Sequence, residues 1–130
     1  MRYIKISVLV LFVCLFAGFY VMRSGSVNGQ ITTLEAPDGL TASDNAYNLK
    51  IGLHWDPVPG ATLYRVFRAV VADPSGATEV GITPANSFFD LGAPAGQELF
   101  YWVRAENGTV VSQFSDPEAG SRTGTAQQGP

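Results

Sequence analysis

The 130-residue chain has one cysteine, one histidine and charged side chains at only 15% of its positions. A single cysteine excludes a disulfide scaffold. A single histidine leaves a metal centre short of the three or four convergent donors it needs. Eight basic residues against eleven acidic ones exclude a nucleic-acid binder that works by bulk positive charge. Gly-x-Ser-x-Gly, Gly-x-Gly-x-x-Gly and Walker-type patterns are missing, and no Asp-x-Asp spacing points to calcium. Beyond the first thirty residues no helical apolar period occurs, so the rest of the chain has to build its core from strands.

What is present in excess is apolar and local. Between Ile6 and Met22 only Ser7 and Gly18 fall outside the hydrophobic set, with Arg2 and Lys5 before the run and Arg23 after it. That order is a positive n-region, an apolar h-region and a polar exit. As a helix the run spans about 26 Å, the short limit for a membrane crossing and long for a signal h-region. Residues 1–26 are therefore expected to be a signal peptide or a membrane anchor forming one hydrophobic helix. Ser24 and Ser26 allow cleavage before Val27, and either fate places the remainder outside the cytoplasm under the positive-inside rule. Cys14 lacks the preceding small residue of a lipoprotein signal. Gly18-Phe19 is no prepilin site, because the apolar run precedes it and Arg23 replaces the expected Glu. Without this segment, five basic residues face all eleven acids, a net charge of −6 that opposes phosphate binding.

Residues 27–35 form a polar linker, and Gly120 to Pro130 is a Gly, Ser, Thr and Gln stretch with little to bury; 124–130 is expected to be a disordered tail. Between them Leu49, Ile51, Leu53 and Trp55 alternate with polar or small residues as a half-buried strand, stopped by the two prolines of Asp56-Pro57-Val58-Pro59-Gly60. Tyr64, Val66 and Arg68 form the inward set of the next strand. Asp73-Pro74-Ser75-Gly76 is a turn. Thr78 to Thr83 and Ser87 to Asp90 read as short strands, and Leu91 to Gln97 as a corner loop. Leu99, Tyr101, Val103 and Ala105 give the clearest period of two, followed by Asn107-Gly108 as a type I′ hairpin turn and a return over Val110 to Ser115. Strands at such spacing predict an all-β, antiparallel immunoglobulin-like sandwich of about seven strands with Trp55 at its centre.

Pro37-Asp38-Gly39-Leu40, Leu53-His54-Trp55-Asp56-Pro57 with Gly60-Ala61, Tyr64-Arg65-Val66, Phe88-Phe89-Asp90, Tyr101-Trp102-Val103-Arg104-Ala105 and Ser112-Gln113-Phe114-Ser115 occur in that order. In order and spacing they resemble the fibronectin type III domain over residues 36–123, one whole module. Leu99 stands where that family usually has its corner tyrosine, which leaves the hydroxyl tie of the loop to the last strands without its usual donor; Tyr101 lies further inward. No Arg-Gly-Asp occurs, so the integrin-binding use of some family members has no support.

The residues offer no catalytic constellation. His54 is expected to face outward beside Trp55. Asp56, Asp90 and Asp116 stand at strand ends, where aspartates bond turn amides. Asn107-Gly108-Thr109 matches a glycosylation sequon, but the turn explains the same residues. No cofactor is expected. One feature exceeds what the fold requires. If Leu99, Tyr101, Val103 and Ala105 point inward, strict alternation sends Phe100, Trp102 and Arg104 outward, beside Arg65 and Phe67 of the neighbouring strand. Clustered Trp, Phe and Arg are enriched at binding hot spots. Cross-strand aromatic pairing, or cover by the chain's own ends, would use the same residues. The expectation is an extracytoplasmic, non-enzymatic interaction or spacer module at the cell surface. It would bind a protein partner or cell-envelope component through Arg65, Phe67, Phe100, Trp102 and Arg104, with Trp102 exposed, and would not bind nucleic acid. The alternative is a carbohydrate-binding accessory module using the same aromatics.

Overall fold

A computed structural model describes residues 32–124. The expected amino-terminal helix, the signal or anchor segment 1–26, most of the linker and residues 125–130 lie outside the described residues. Among the described residues no helix is long and apolar enough to cross a membrane.

Eight strands form two antiparallel sheets. They are β1 (Thr41–Ala42), β2 (Ile51–His54), β3 (Leu63–Ala69), β4 (Thr78–Thr83), β5 (Ser87–Asp90), β6 (Leu99–Asn107), β7 (Val110–Val111) and β8 (Glu118–Gly120). The smaller sheet has the order β1-β2-β5; the larger has the order β4-β3-β6-β7, with β8 also paired to β6. β7 and β8 are two pieces of one strand broken over residues 112–117, which reconciles eight segments with the seven expected.

Period-two alternation places one side of each sheet in the core. Ile51, Leu53 and Trp55 from the smaller sheet meet Tyr64, Val66, Leu99, Tyr101, Val103 and Ala105 from the larger. Trp55 and Tyr64 pack edge to face with ring centroids 5.3 Å apart, and the Tyr64 hydroxyl accepts a 2.8 Å bond from Val58 N, which pins the proline-rich turn. Leu49 departs from the expected strand: it is 63% exposed. Pairing starts only at Ile51, because the chain is still turning through Asn45, whose φ is +52°. The hairpin after β6 is also displaced by one residue from the expected turn. Asn107 pairs with Val110, so the two-residue loop is Gly108-Thr109. Only Gly108 has positive φ, +59°, as in a II′ turn rather than a I′ turn. Asn107 Nδ2 instead donates to Gly60 O at 2.6 Å.

At the broken strand two serines complete the ladder. Ser112 N donates to Ala105 O and Ser115 N to Val103 O, each at 2.9 Å. The return bonds come from Ala105 N to Ser112 Oγ at 2.9 Å and from Val103 N to Ser115 Oγ at 3.0 Å, so hydroxyls stand where carbonyls would. Further on, Ser121 N donates to Ser43 O at 3.0 Å, and Arg122 donates to Ala93 O at 2.6 Å and Asn48 O at 2.5 Å. The ordered sandwich thus continues through the polar residues that follow β8.

Candidate functional site

Register brings the five expected binding residues together. Arg65 stands opposite Arg104, Phe67 opposite Trp102, and Phe100 is the next outward position along β6. Arg65, Phe67, Phe100 and Arg104 are half-buried. Trp102 is not exposed: its exposure is 2%, although it lies outside the core cluster. The expectation of an exposed Trp102 is therefore corrected. Alternation fixes which face a side chain leaves from and says nothing of what stands around it. On the β3 side and along β6 the neighbouring outward positions carry rings or a guanidinium, Phe67 opposite and Phe100 and Arg104 to either side.

The rest of this face is satisfied internally. Like charges directly opposite one another repel across a sheet, and Arg65 and Arg104 avoid this by turning apart. Arg65 bonds Glu106 at 2.5 Å and Glu79 at 2.9 Å, carboxylates that raise its already high pKa. Arg104 donates to Ser112 O at 3.0 Å and lies 4.6 Å from the Phe114 ring centroid. Phe114 meets Phe67 edge-on at 5.0 Å. Phe114 comes from the broken strand, where no alternation marks it as a member of this face.

Asp90 is buried under the 90–92 corner. Its Oδ2 accepts from Arg68 at 2.7 Å and from the Tyr101 hydroxyl at 2.9 Å; its Oδ1 accepts from Gly92 N at 3.0 Å. Tyr101 therefore ties the corner loop to the last strands from two positions beyond Leu99, which corrects the expected loss of that tie. Replacing Asp90 by alanine leaves three donors without an acceptor, and a cost of about 2–4 kcal/mol is expected by denaturant melts. Asp90→Asn keeps one acceptor oxygen and should fall between. Burial, then the Asp90 carboxylate, pushes the Tyr101 hydroxyl well above its ordinary value. Below about pH 10 this tyrosine is protonated in both folded and unfolded chains. Above that, the unfolded chain releases the proton first, so stability should fall as pH rises. Urea midpoints at about pH 8 and pH 11 should diverge less for Tyr101→Phe than for the parent.

The outer face of the smaller sheet is arranged differently. Gly52 and His54 point outward from β2, Ser87 and Phe89 from β5, and Tyr47 approaches from the preceding turn. With Thr41 they line a shallow groove of about 280 Å³. Tyr47 is 42% and Phe89 55% exposed. Lys50 Nζ lies 3.8 Å from the Phe89 ring centroid and 4.7 Å from that of Tyr47. His54 faces outward as expected, with its Nε2 3.3 Å from Asn86 Nδ2. Among the described residues no three His, Cys, Asp or Glu side chains come together as a metal site would require. Sequence reasoning passed over this groove, although a glycine in mid-strand is a known mark of close approach.

No family model and no curated protein matches the chain. Solved structures do. A Fn3-like protein from Clostridium thermocellum is 22% identical with a TM-score of 0.63, over 74% of this chain and 100% of that one. A human fibronectin type III domain is 16% identical with a TM-score of 0.59, over 76% of this chain and 79% of that one. A β-1,2-glucanase from Parabacteroides distasonis is 22% identical with a TM-score of 0.62, over 75% of this chain but only 14% of the enzyme. The fold of the described residues is that of a fibronectin type III domain.

Proposed function

We propose that this chain, with its fibronectin type III fold, is an extracytoplasmic, non-catalytic interaction or spacer module, exported by residues 1–26 and either released or held at the membrane by them. The observation that carries the reading is the pair of exposed rings, Tyr47 and Phe89, on a sheet face that the core does not use. Large aromatic side chains in such positions are characteristic of recognition surfaces. The buried polar groups serve the fold instead: Asp90 is consumed by Arg68, Tyr101 and Gly92, and Ser112 and Ser115 by the β6 ladder.

With Trp102 buried, the face expected to hold a protein partner lacks its central anchor. The second reading, a carbohydrate-binding accessory module, gains from the groove of the smaller sheet. A segment of a β-1,2-glucanase has the same fold. Protease shaving of intact producing cells tests the location. Release of sandwich fragments from unbroken cells is the expected result, and the mass of the mature chain separates cleavage before Val27 from retention as an anchor. Protection until lysis would reject the extracytoplasmic reading.

A further inference from the structure

Gly52 is the feature from which this inference starts. Its φ is not in the left-handed region, so its backbone would accept any residue, and a strand-interior glycine is destabilising relative to alanine. What it provides is space. A Cβ built there would lie 3.3 Å from Phe89 Cε1 and 3.4 Å from Tyr47 Cε2, so the two rings flank a floor without a side chain. His54, the next outward position of β2, lines the same groove, and the Lys50 ammonium lies against the two rings beside it.

The cation beside the groove is held differently from those of the rest of the domain. Arg65 and Arg68 are bound to carboxylates, and Arg104 and Arg122 to main-chain carbonyls. Among the described residues, Lys50 has no carboxylate within salt-bridge distance and only the two rings beneath its ammonium. Among the described residues Lys50 is thus the cation held by neither a carboxylate nor a carbonyl, and it lies beside two exposed aromatic rings. The main chain of the floor is already paired: Gly52 N donates to Ser43 Oγ at 2.9 Å, and Gly52 O accepts from Ser43 N at 2.8 Å. A peptide would find no backbone there to pair with. A ligand recognised through its own ring faces, hydroxyls and a negative charge would find all three matched.

We propose that the Tyr47–Gly52–Phe89 groove binds an acidic saccharide, a uronic-acid unit of a polysaccharide. The Lys50 ammonium leaves the two rings to pair with the sugar's carboxylate, the sugar's C–H face takes the vacated place on Phe89 and Tyr47, and its hydroxyls reach Ser87 and His54. The inference rests on the interaction-module reading above and names the ligand class of that module. Because the domain as a whole is acidic, attraction is confined to the groove, and binding should weaken as salt rises.

The test is affinity electrophoresis of the full-length chain in detergent solution through gels containing polygalacturonate or, separately, a neutral β-glucan. Retardation by polygalacturonate is expected, reduced at least tenfold in Phe89→Ala and in Lys50→Met. Lys50→Met removes only a half-buried charge and should melt with the parent, which separates loss of binding from loss of fold. Equal retardation of parent and Lys50→Met, or retardation by the neutral glucan alone, would overturn the acidic-saccharide assignment, as would no retardation by either polymer. None of these outcomes touches the cell location of the module, which the shaving experiment decides independently.

Discussion

Trp55→Ala is expected to lower the stability of the sandwich by about 3–5 kcal/mol, the range for removing a large aromatic from a packed core. Trp55 is fully buried and edge-on to Tyr64, so the truncation leaves a cavity between the sheets and frees the ring that holds Val58 N. Small domains have only about 5–15 kcal/mol in total, and no cysteine lies among the described residues to offset such a loss. The indole Nε1 has no acceptor among the described residues, a defect that costs about 1–3 kcal/mol in a buried site. Trp55→Phe deletes that orphan donor and keeps a ring, so it should be much milder. Urea midpoints by far-UV circular dichroism would show the contrast. An alanine variant within about 1 kcal/mol of the parent would mean that Trp55 does not hold the sheets together.

Trp102→Ala should cost about 3 kcal/mol, the low end of the same range, because a ring on the outer face leaves a gap that its neighbours can partly close. The expectation of an exposed anchor would have placed the loss at about 1 kcal/mol or less, the scale of cross-strand contacts. Fluorescence separates the two readings without unfolding. In a Trp55→Phe background Trp102 is the sole tryptophan, and its emission should be blue-shifted and shielded from iodide. Red-shifted, readily quenched emission would restore the exposed face.

The two tryptophans show how far the sequence could be read. Trp55 was legible because Ile51 and Leu53 share its phase and two prolines end the strand. For Trp102 the phase was equally clear, but occlusion by Phe67, Phe100 and Arg104 is a property of two strands in register. β4 and β5 have the bounds read from the sequence, since turn residues flank both. The groove was hidden for two reasons. Tyr47 lies in a turn with no periodicity, and Phe88-Phe89 carries an aromatic at both parities, so composition does not tell which ring faces out. Phe88 packs against the core and Phe89 does not. The Tyr101–Asp90 tie was also invisible, because alternation says that Tyr101 points inward without saying what its hydroxyl meets.

The serines of the broken last strand also bear on how this protein avoids sticking to itself. A regular sheet edge offers a periodic row of free N–H and C=O groups on which a strand of another molecule can grow. Between β7 and β8 that row is interrupted. Ser112 and Ser115 accept the amides of β6 through their hydroxyls, and the same hydroxyls donate to Gln113 O and Asp116 O, so two carbonyls that could recruit a foreign strand are already engaged. At the opposite edge, a register shift between Val66 and Phe67 kinks the pairing of β4, and Pro84 follows its last residue. Both margins of the larger sheet are therefore poor templates for strand addition by another molecule.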